Sequence, residues 1–299
     1  MSLGDHIDYI VEKASSKLSI LRKLKFDLDR ETLKSMYFSF IRPILEYGDI
    51  IFDNCPEFCK SKLEQINLEA ARIVTGATKL VSHSLLYRES GLEKLETRRV
   101  KHKLVQFYKI KNLYSPEYLL DLLPHQLQNI HRYHTRNSSS YIIPQCKTAY
   151  YRNSFIPSVT DLWNNLPNEI KQSPSLNFFK NNISRYLDPE KPPNYYKSGT
   201  RKGQILHARL RMACSSLKHH LYLKNIEENP YCTCGRIETT EHFLLHCTNF
   251  INQRNELVHS LNFPLTAKLL LYGDKEKNFD FNRDLFMKVQ NFIIKTKRF

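Results

Sequence analysis

The sequence predicts a mainly α-helical protein, and three observations lead to that prediction. Apolar residues recur every three or four positions through the first third of the 299-residue chain, which is the spacing of one helix face. An apolar helical segment closes the chain over residues 280–299. Hydrophobic residues make up 41% of the sequence, which is enough to fill real cores and excludes a disordered polymer.

Three helices are predicted in the first third. The second of the three runs from Arg30 to Tyr47, begins after Asp29 and is interrupted by Pro43. A third runs from about Phe58 to Val74, before Gly76. We expect these helices to pack on one another. The first helix carries an apolar stripe formed by Ile7, Ile10, Val11, Ala14, Leu18, Leu21 and Leu24.

A strongly basic helix is predicted from Lys94 to Lys111. This stretch holds seven Lys or Arg residues against one Glu, an excess of six positive charges, with apolar residues threaded between them. We expect one buried face and one positive face that contacts phosphate, because such an excess repels itself unless an anion neutralises it. A charged face that is simply solvated is the alternative. The predicted phosphate contacts here are Arg98, Arg99, Lys101, Lys103, Lys109 and Lys111.

Residues 114–200 are predicted to form a linker and connector, since they hold nine of the thirteen prolines. Within them, a short helix around Leu162 to Pro167 carries the only Trp, and a second helix spans Ser175 to Leu187. Leu162 and Leu166 flank Trp163 at helical spacing, which favours a packing role for the Trp over stacking on a nucleic-acid base.

The carboxyl-terminal third contains a candidate zinc site. Zinc in structural sites takes four Cys or His ligands, and Cys232, Cys234, His242 and Cys247 lie within sixteen positions, with Gly235 providing a turn. His246 could replace His242 or Cys247 as a ligand, and four unmetallated residues are the alternative. The seven cysteines are an odd number, which favours metal binding over a disulfide framework. We predict one structural Zn²⁺.

The charge balance indicates a polyanionic partner. Lys and Arg outnumber Asp and Glu by 45 to 30, giving a net charge of +15. This excess favours RNA or DNA over a neutral or acidic partner, with an anionic membrane surface as the weaker alternative. A basic segment from Gln204 to Leu217 adds Arg209 and Arg211 to the predicted phosphate contacts. No signal peptide or membrane span is visible in the sequence, so we expect an intracellular protein, nuclear or cytoplasmic, without a membrane partner.

Catalytic motifs give no candidate active site. The sequence has no adjacent Asp-Asp pair and none of the glycine-rich phosphate or nucleophile motifs. Asp27, Asp29, Asp49 and Asp53 are scattered, and helix caps and turns account for them.

Phrases spread over nearly the whole chain resemble the carboxyl-terminal part of a non-LTR (LINE-type) retrotransposon reverse transcriptase. Each phrase alone is weak, and their order along the chain carries the resemblance. The phrases are His6-Ile7, Lys17 to Leu24, Tyr37, Ile41 to Gly48, Leu63 to Ile66, Ala70 to Gly76, Thr135-Arg136, Ser154 to Pro157, Leu162 to Pro167, Phe178 to Lys180, Ala208 to Arg211, Cys232 to Cys247, Arg254 and Lys297 to Phe299.

The resemblance implies three regions. Residues 1–113 would be a helical region similar to the thumb and connection of the polymerase, 114–200 a Pro-rich connector, and 201–299 a CCHC zinc-binding domain that grips RNA template or target DNA. The family's palm with its paired carboxylates is missing from these residues, so we expect no polymerase activity from this chain alone. A chain that begins at Met1 just past the palm is expected to be a truncated element copy or gene-model fragment.

Three other roles are compatible with the sequence. The zinc site could stabilise a protein-interaction or scaffold module, in which case reversing the Lys101 and Lys103 charges would leave partner binding intact. A separate palm-containing reverse transcriptase chain could be the partner, in which case activity would arise only on mixing. The chain could also be a relic of a mobile element with no selected function.

Overall fold

Helices dominate the part of the chain that the structure describes. The structure, a computed structural model, describes residues 3–127, 140–188, 191–261 and 263–299. Extended pairing among these residues is limited to two isolated antiparallel bridges, Gln126 with Tyr141 and Tyr231 with Ile237. The predicted mainly α-helical fold class is therefore confirmed. The phrase Thr135-Arg136 and part of the predicted linker lie outside the described residues.

The helices are numbered in chain order. Helices α1 to α7 occupy Leu3–Lys23, Arg30–Phe40, Arg42–Glu46, Asp49–Phe52, Glu57–Thr75, His83–Ser90 and Leu95–Lys111. Helices α8 to α16 occupy Ala149–Arg152, Phe155–Asn164, Asn168–Lys171, Leu176–Leu187, Arg201–Arg211, Lys218–Tyr222, Ile251–Leu261, Ala267–Tyr272 and Phe279–Lys295. Short 3-10 turns lie at Glu117–Leu122, Asn194–Lys197 and Thr248–Phe250, and a π-helical turn lies at His242–His246.

The helices predicted in the first third are present. Helix α1 buries most of the predicted apolar stripe. Asp29 caps α2, because its carboxylate accepts from the amides of Glu31 at 2.8 Å and Thr32 at 3.0 Å. The predicted break falls at Ile41, so that Pro43 lies in the first turn of α3, where a missing N–H costs nothing. Helix α5 ends just before Gly76, which has a φ of +72°.

The described contacts divide the chain into two compact units, each assembled from three segments. Unit 1 comprises residues 1–14, 43–65 and 93–190, and unit 2 comprises 15–42, 66–92 and 191–299. These units are defined by contacts and not by chain order. The division at residues 113 and 200 expected from the sequence therefore stays a prediction.

Unit 1 is built around Trp163. Helix α7 packs on α9 and α11, and the Trp163 ring centroid lies 4.7 Å from that of Phe107 and 5.8 Å from that of Phe179. The indole is 2% exposed, so the predicted packing role of Trp163 is confirmed. Asn164 then joins the helix to the chain at Tyr141, accepting from its amide at 2.9 Å and donating to its carbonyl at 2.7 Å.

Unit 2 is built around α16. This helix packs on α12, α14 and α15 through a core that includes Phe243, Phe286, Val289 and Phe292. Because Phe243 belongs both to this core and to the π-helical turn, the core fixes the position of the cysteine-rich segment.

Candidate metal centre and basic side chains

The first pair of candidate ligands lies in a tight turn. The amide of Cys232 donates to the carbonyl of Arg236 at 2.7 Å, and the amide of Gly235 donates to the carbonyl of Cys232 at 2.9 Å. Gly235 has a φ of +86°, a left-handed conformation that side chains disfavour. The turn therefore places the two thiols of Cys232 and Cys234 on one side of the loop.

The second pair is brought together by the π-helical turn. The hydroxyl of Thr239 accepts from the amide of His242 at 3.0 Å and caps the turn at its start. The amide of Cys247 donates to the carbonyl of His242 at 2.8 Å, five residues back. In a regular α-helix, residues five apart point about 140° away from each other, because each residue turns the chain by about 100°. The wider turn reduces that divergence, and the ligand atoms of His242 and Cys247 lie within 4.8 Å of each other.

The four ligand atoms form one cluster. The sulfur of Cys232 lies 3.6 Å from that of Cys247, and the sulfur of Cys234 lies 3.9 Å from that of Cys247 and 3.1 Å from Nε2 of His242. All four ligand atoms lie within 4.8 Å of one another, so this set could hold a metal ion. His246 is exposed and stands outside the cluster. Of the two histidines, His242 is therefore the one that lies with the three cysteines, as in the predicted ligand set.

Burial and a backbone hydrogen bond shift the pKa values of three candidate ligands. Burial raises the pKa of the Cys247 thiol to about 12, and it lowers the pKa of His242 below its ordinary value. A hydrogen bond from the backbone of Arg236 lowers the pKa of Cys234. A metal ion binds thiolates and neutral imidazole, so its binding would release protons.

Two arginines support the cluster from outside. Arg254 donates to the carbonyls of Leu244 at 3.0 Å and Phe243 at 3.3 Å, which the π-helical turn leaves without their usual helical donors. Arg298 forms a bidentate pair with buried Glu238, with both nitrogen–oxygen distances 2.7 Å. Sequence reasoning singled out both arginines only as part of the resemblance and missed these roles. No local spacing signals them, because Arg298 lies sixty positions from its partner.

Four cations of α7 form ion pairs with carboxylates inside unit 1. Arg98 pairs through Nε and Nη2 with both carboxylate oxygens of Glu46, and its Nη1 lies 3.3 Å from Glu93. Lys101, which is 4% exposed, donates to Glu93 at 2.8 Å. These carboxylates come from outside α7, so the local charge excess does not by itself require an external anion.

Asp53 is the carboxylate that pairs with Arg99 and Lys103, the other two of these four cations. Arg99 donates to it at 2.6 Å, and Lys103 pairs with it while donating to the hydroxyl of Ser158 at 3.0 Å. Burial raises the pKa of Asp53, but these cations outweigh that effect and bring the pKa below its ordinary value. Arg99 and Lys103 are 6% and 4% exposed. The expectation of an exposed positive face on α7 therefore needs correction. Phosphate contact has no support from the burial of Arg99, Lys101 and Lys103, or from the pairing of Arg98 with Glu46 and Glu93. Asp53 itself is a counter-ion and not merely a turn residue.

The remaining predicted contacts on α7 are more accessible. Lys109 and Lys111 are both partly exposed near the end of the helix. The ammonium of Lys111 lies 5.6 Å from the Trp163 ring centroid, within the range of a cation–π contact.

The two arginines of α12 differ in their partners. Arg211 is buried and donates to Glu89 through Nη2 at 2.7 Å and Nε at 3.0 Å, while Arg30 donates to the same carboxylate at 2.8 Å. Arg209 is partly exposed, and its Nε donates to the backbone carbonyl of Gly76 at 2.7 Å. A carbonyl carries no net charge, so the charge of Arg209 is not cancelled by that bond.

Comparison of the chain with protein-family models, curated proteins and solved structures gives no match. Among the described helices, none combines the length and the apolar character that crossing a membrane requires. The chemistry of the site residues and the distribution of charge are therefore the grounds for assigning a function.

Proposed function

We propose that the chain binds nucleic acid as the carboxyl-terminal part of a LINE-type reverse transcriptase, with one structural zinc ion in unit 2. The observation that carries the binding proposal is the net charge of +15. Each internal ion pair, such as Arg99 with Asp53, removes one charge of each sign. These pairs therefore leave the net excess unchanged, and that excess attracts a polyanion.

The reverse transcriptase relationship rests on the sequence phrases and their order. The 299 residues hold no adjacent Asp pair, so polymerisation would need a palm with its carboxylates on another segment or chain. We therefore propose a binding role and no catalytic role for this chain alone. RNA and DNA are the proposed partners, and a palm-containing chain is a further one.

Zinc is the metal that fits the ligand set. Three thiolates and one imidazole are typical of its structural sites. With zinc–sulfur bonds of about 2.3 Å, two sulfurs at the corners of a tetrahedron lie about 3.8 Å apart, and the observed sulfur separations are 3.6 and 3.9 Å. Four protein ligands leave no position for a reactive water, which favours a structural role.

Binding is tested by fluorescence anisotropy with labelled single-stranded RNA and duplex DNA over a series of salt concentrations. We expect log K to fall linearly with log salt concentration, with little dependence on sequence. Polyglutamate of matched total charge is the control, and equal affinity for it would contradict recognition of nucleic acid. Absence of binding at low salt would refute the proposal and leave the scaffold role.

The metal is tested by native mass spectrometry of the purified chain. We expect one zinc per chain, lost in the double variant Cys232→Ser/Cys247→Ser and in Cys234→Ser. The matched control is Cys146→Ser, because Cys146 is a partly exposed thiol like Cys234 but lies outside the cluster. A folded wild-type chain without metal, or with a different metal, would refute the assignment to zinc.

A further inference from the structure

A basic cavity of about 220 Å³ lies in unit 2, where α5 ends beside α12. Its wall contains the left-handed Gly76, where an added Cβ would lie 2.5 Å from Cγ1 of Ile205. The absent side chain therefore lets the end of α5 approach α12 closely. The cationic side chains that line the cavity are Arg22, Lys25, Arg72, Lys79, Arg201 and Arg209.

The charge of this cavity is largely uncompensated. Among the described residues, Glu69 is the only carboxylate that lines the cavity, and it lies 2.8 Å from Arg72 and 3.6 Å from Arg22. Six cations against one carboxylate leave an excess of five positive charges, 6 − 1 = 5. Helix α7 is different, because carboxylates from other segments of unit 1 neutralise its buried cations.

Two of the arginines are held in place by neutral groups. Arg201 donates to the carbonyls of Lys25 at 2.8 Å, Val74 at 2.8 Å and Ile73 at 2.6 Å. These bonds fix the orientation of the guanidinium, and the partial charge at the end of α5 offsets only part of its positive charge. Burial and then the guanidinium of Arg30 lower the pKa of Arg201 to about 10, against the opposing effect of the Asp29 carboxylate.

Arg72 adds an unused donor. Its Nε is buried and has no hydrogen-bond partner in the described structure, although its Nη1 is paired with Glu69. A buried N–H without an acceptor costs about 1–3 kcal/mol.

An exposed aromatic ring stands at the same cavity. Phe26 contributes to the lining and is 61% exposed, and the ammonium of Lys25 lies 4.6 Å from its ring centroid. Proteins that bind single strands without sequence preference combine cations for the backbone with aromatic rings on which bases stack. A duplex offers no free base face for such a ring.

We propose that this cavity binds a backbone phosphate of a single-stranded nucleic acid, with the adjoining base stacked on Phe26. The volume is below the roughly 300–1,000 Å³ of pockets that enclose a whole ligand, so it suits a phosphate group and leaves the base outside. The inference deepens the proposed function and rests on it. Of the basic residues singled out in the sequence, Arg209 lies in this cavity.

The test compares three variants with wild type in anisotropy measurements on labelled oligo(U) over a salt series. Lys25→Gln/Lys79→Gln removes two cations from the cavity, and Phe26→Ala removes the ring. Lys268→Gln/Lys275→Gln is the matched control, because it removes two lysines from exposed positions of the same unit outside the cavity. None of the substituted side chains is buried, and far-UV circular dichroism checks that each variant folds.

We expect the cavity double variant to bind at least about tenfold more weakly and to lose up to about 0.7 from the salt slope, since the cavity holds one phosphate and each single-strand phosphate contact contributes about 0.7. Phe26→Ala should weaken oligo(U) binding at least about fivefold and leave duplex DNA binding unchanged. The control should change affinity by less than about twofold.

The outcomes separate this inference from the proposed function. Wild type that binds oligo(U), with cavity variants that match the control, would overturn the cavity and leave the function standing. Wild type that binds neither oligo(U) nor duplex DNA would overturn both, and wild type that binds only duplex DNA would overturn the single-strand site alone. Complete displacement of oligo(U) by inorganic phosphate at constant ionic strength would show a small-anion site and overturn the single-strand assignment.

Discussion

Replacing Glu89 with Gln should strongly destabilise unit 2. The Glu89 carboxylate is the shared acceptor of Arg30 and Arg211, and the three side chains are 6%, 4% and 2% exposed. Glutamine keeps the shape but removes the charge, so two buried guanidiniums are left uncompensated. Breaking a buried ion pair in this way costs about 3–5 kcal/mol, a large part of the roughly 5–15 kcal/mol that stabilises a typical domain.

Urea unfolding followed by far-UV circular dichroism measures this loss, since it reports helices in both units whereas Trp163 reports unit 1. With m near 2–3 kcal/mol per molar urea, the midpoint should fall by about 1–2 M. The matched control is Glu31→Gln, because Glu31 pairs with Lys197 at 2.7 Å but is 62% exposed. Exposed pairs contribute about 0–1 kcal/mol. A Glu89→Gln loss no larger than that of the control would refute the reasoning.

Acidification gives an independent check on the same carboxylate. Burial raises the pKa of Glu89, but the guanidiniums of Arg211 and Arg30 outweigh it and bring the pKa below the ordinary 4.5. A carboxylate with a lowered folded-state pKa stabilises the fold above its unfolded pKa and loses that contribution as pH falls through the folded pKa. The stability difference between wild type and Glu89→Gln should therefore hold from neutral pH down to about pH 5 and shrink below it. A difference that grows on acidification would contradict the assignment.

Four further substitutions test the metal centre and the basic helix. His242→Ala should abolish metal binding in native mass spectrometry, whereas His246→Ala should leave it intact; the reverse result would exchange the two assignments. Arg298→Ala removes the pair with buried Glu238 and should lower zinc affinity by about 10- to 100-fold in competition with a chelator, and an unchanged affinity would show that this pair does not support the site. Lys103→Gln breaks a buried ion pair and should cost about 1–3 kcal/mol in urea unfolding without changing the salt slope of oligonucleotide binding. A slope reduced by about 0.7 would instead show that Lys103 contacts phosphate.

Local signals in the sequence were sufficient to predict the helices of the first third of the chain. The stripe of α1 and the cap at Asp29 depend on residues within a few positions of one another, so spacing and side-chain type predict them. The ligand set of the metal centre is also local, since it lies between Cys232 and Cys247. The preference for His242 over His246 follows from the five-residue hydrogen bond to Cys247, which ligand spacing alone did not establish.

Long-range electrostatics could not be predicted in the same way. The charge excess of α7 was counted within its own segment, while its counter-ions Glu46 and Asp53 lie 52 and 46 positions away from their arginine partners. The same holds for Glu89, which lies 122 positions from Arg211. Local charge counting therefore identifies cations correctly but does not show which of them are already neutralised.

The chemical nature of the internal partner separates structural cations from those available to a ligand. Where the partner is a carboxylate, as for Arg98 with Glu46, the charge is cancelled inside the fold and the pair is sensitive to loss of either member. Where the partner is a backbone carbonyl, as for Arg201 and Arg209, the guanidinium is held in position and its charge stays available to an anion. Only the second kind contributes to counter-ion release on binding nucleic acid. Salt slopes for variants of the two kinds should therefore differ even though the residue types are the same.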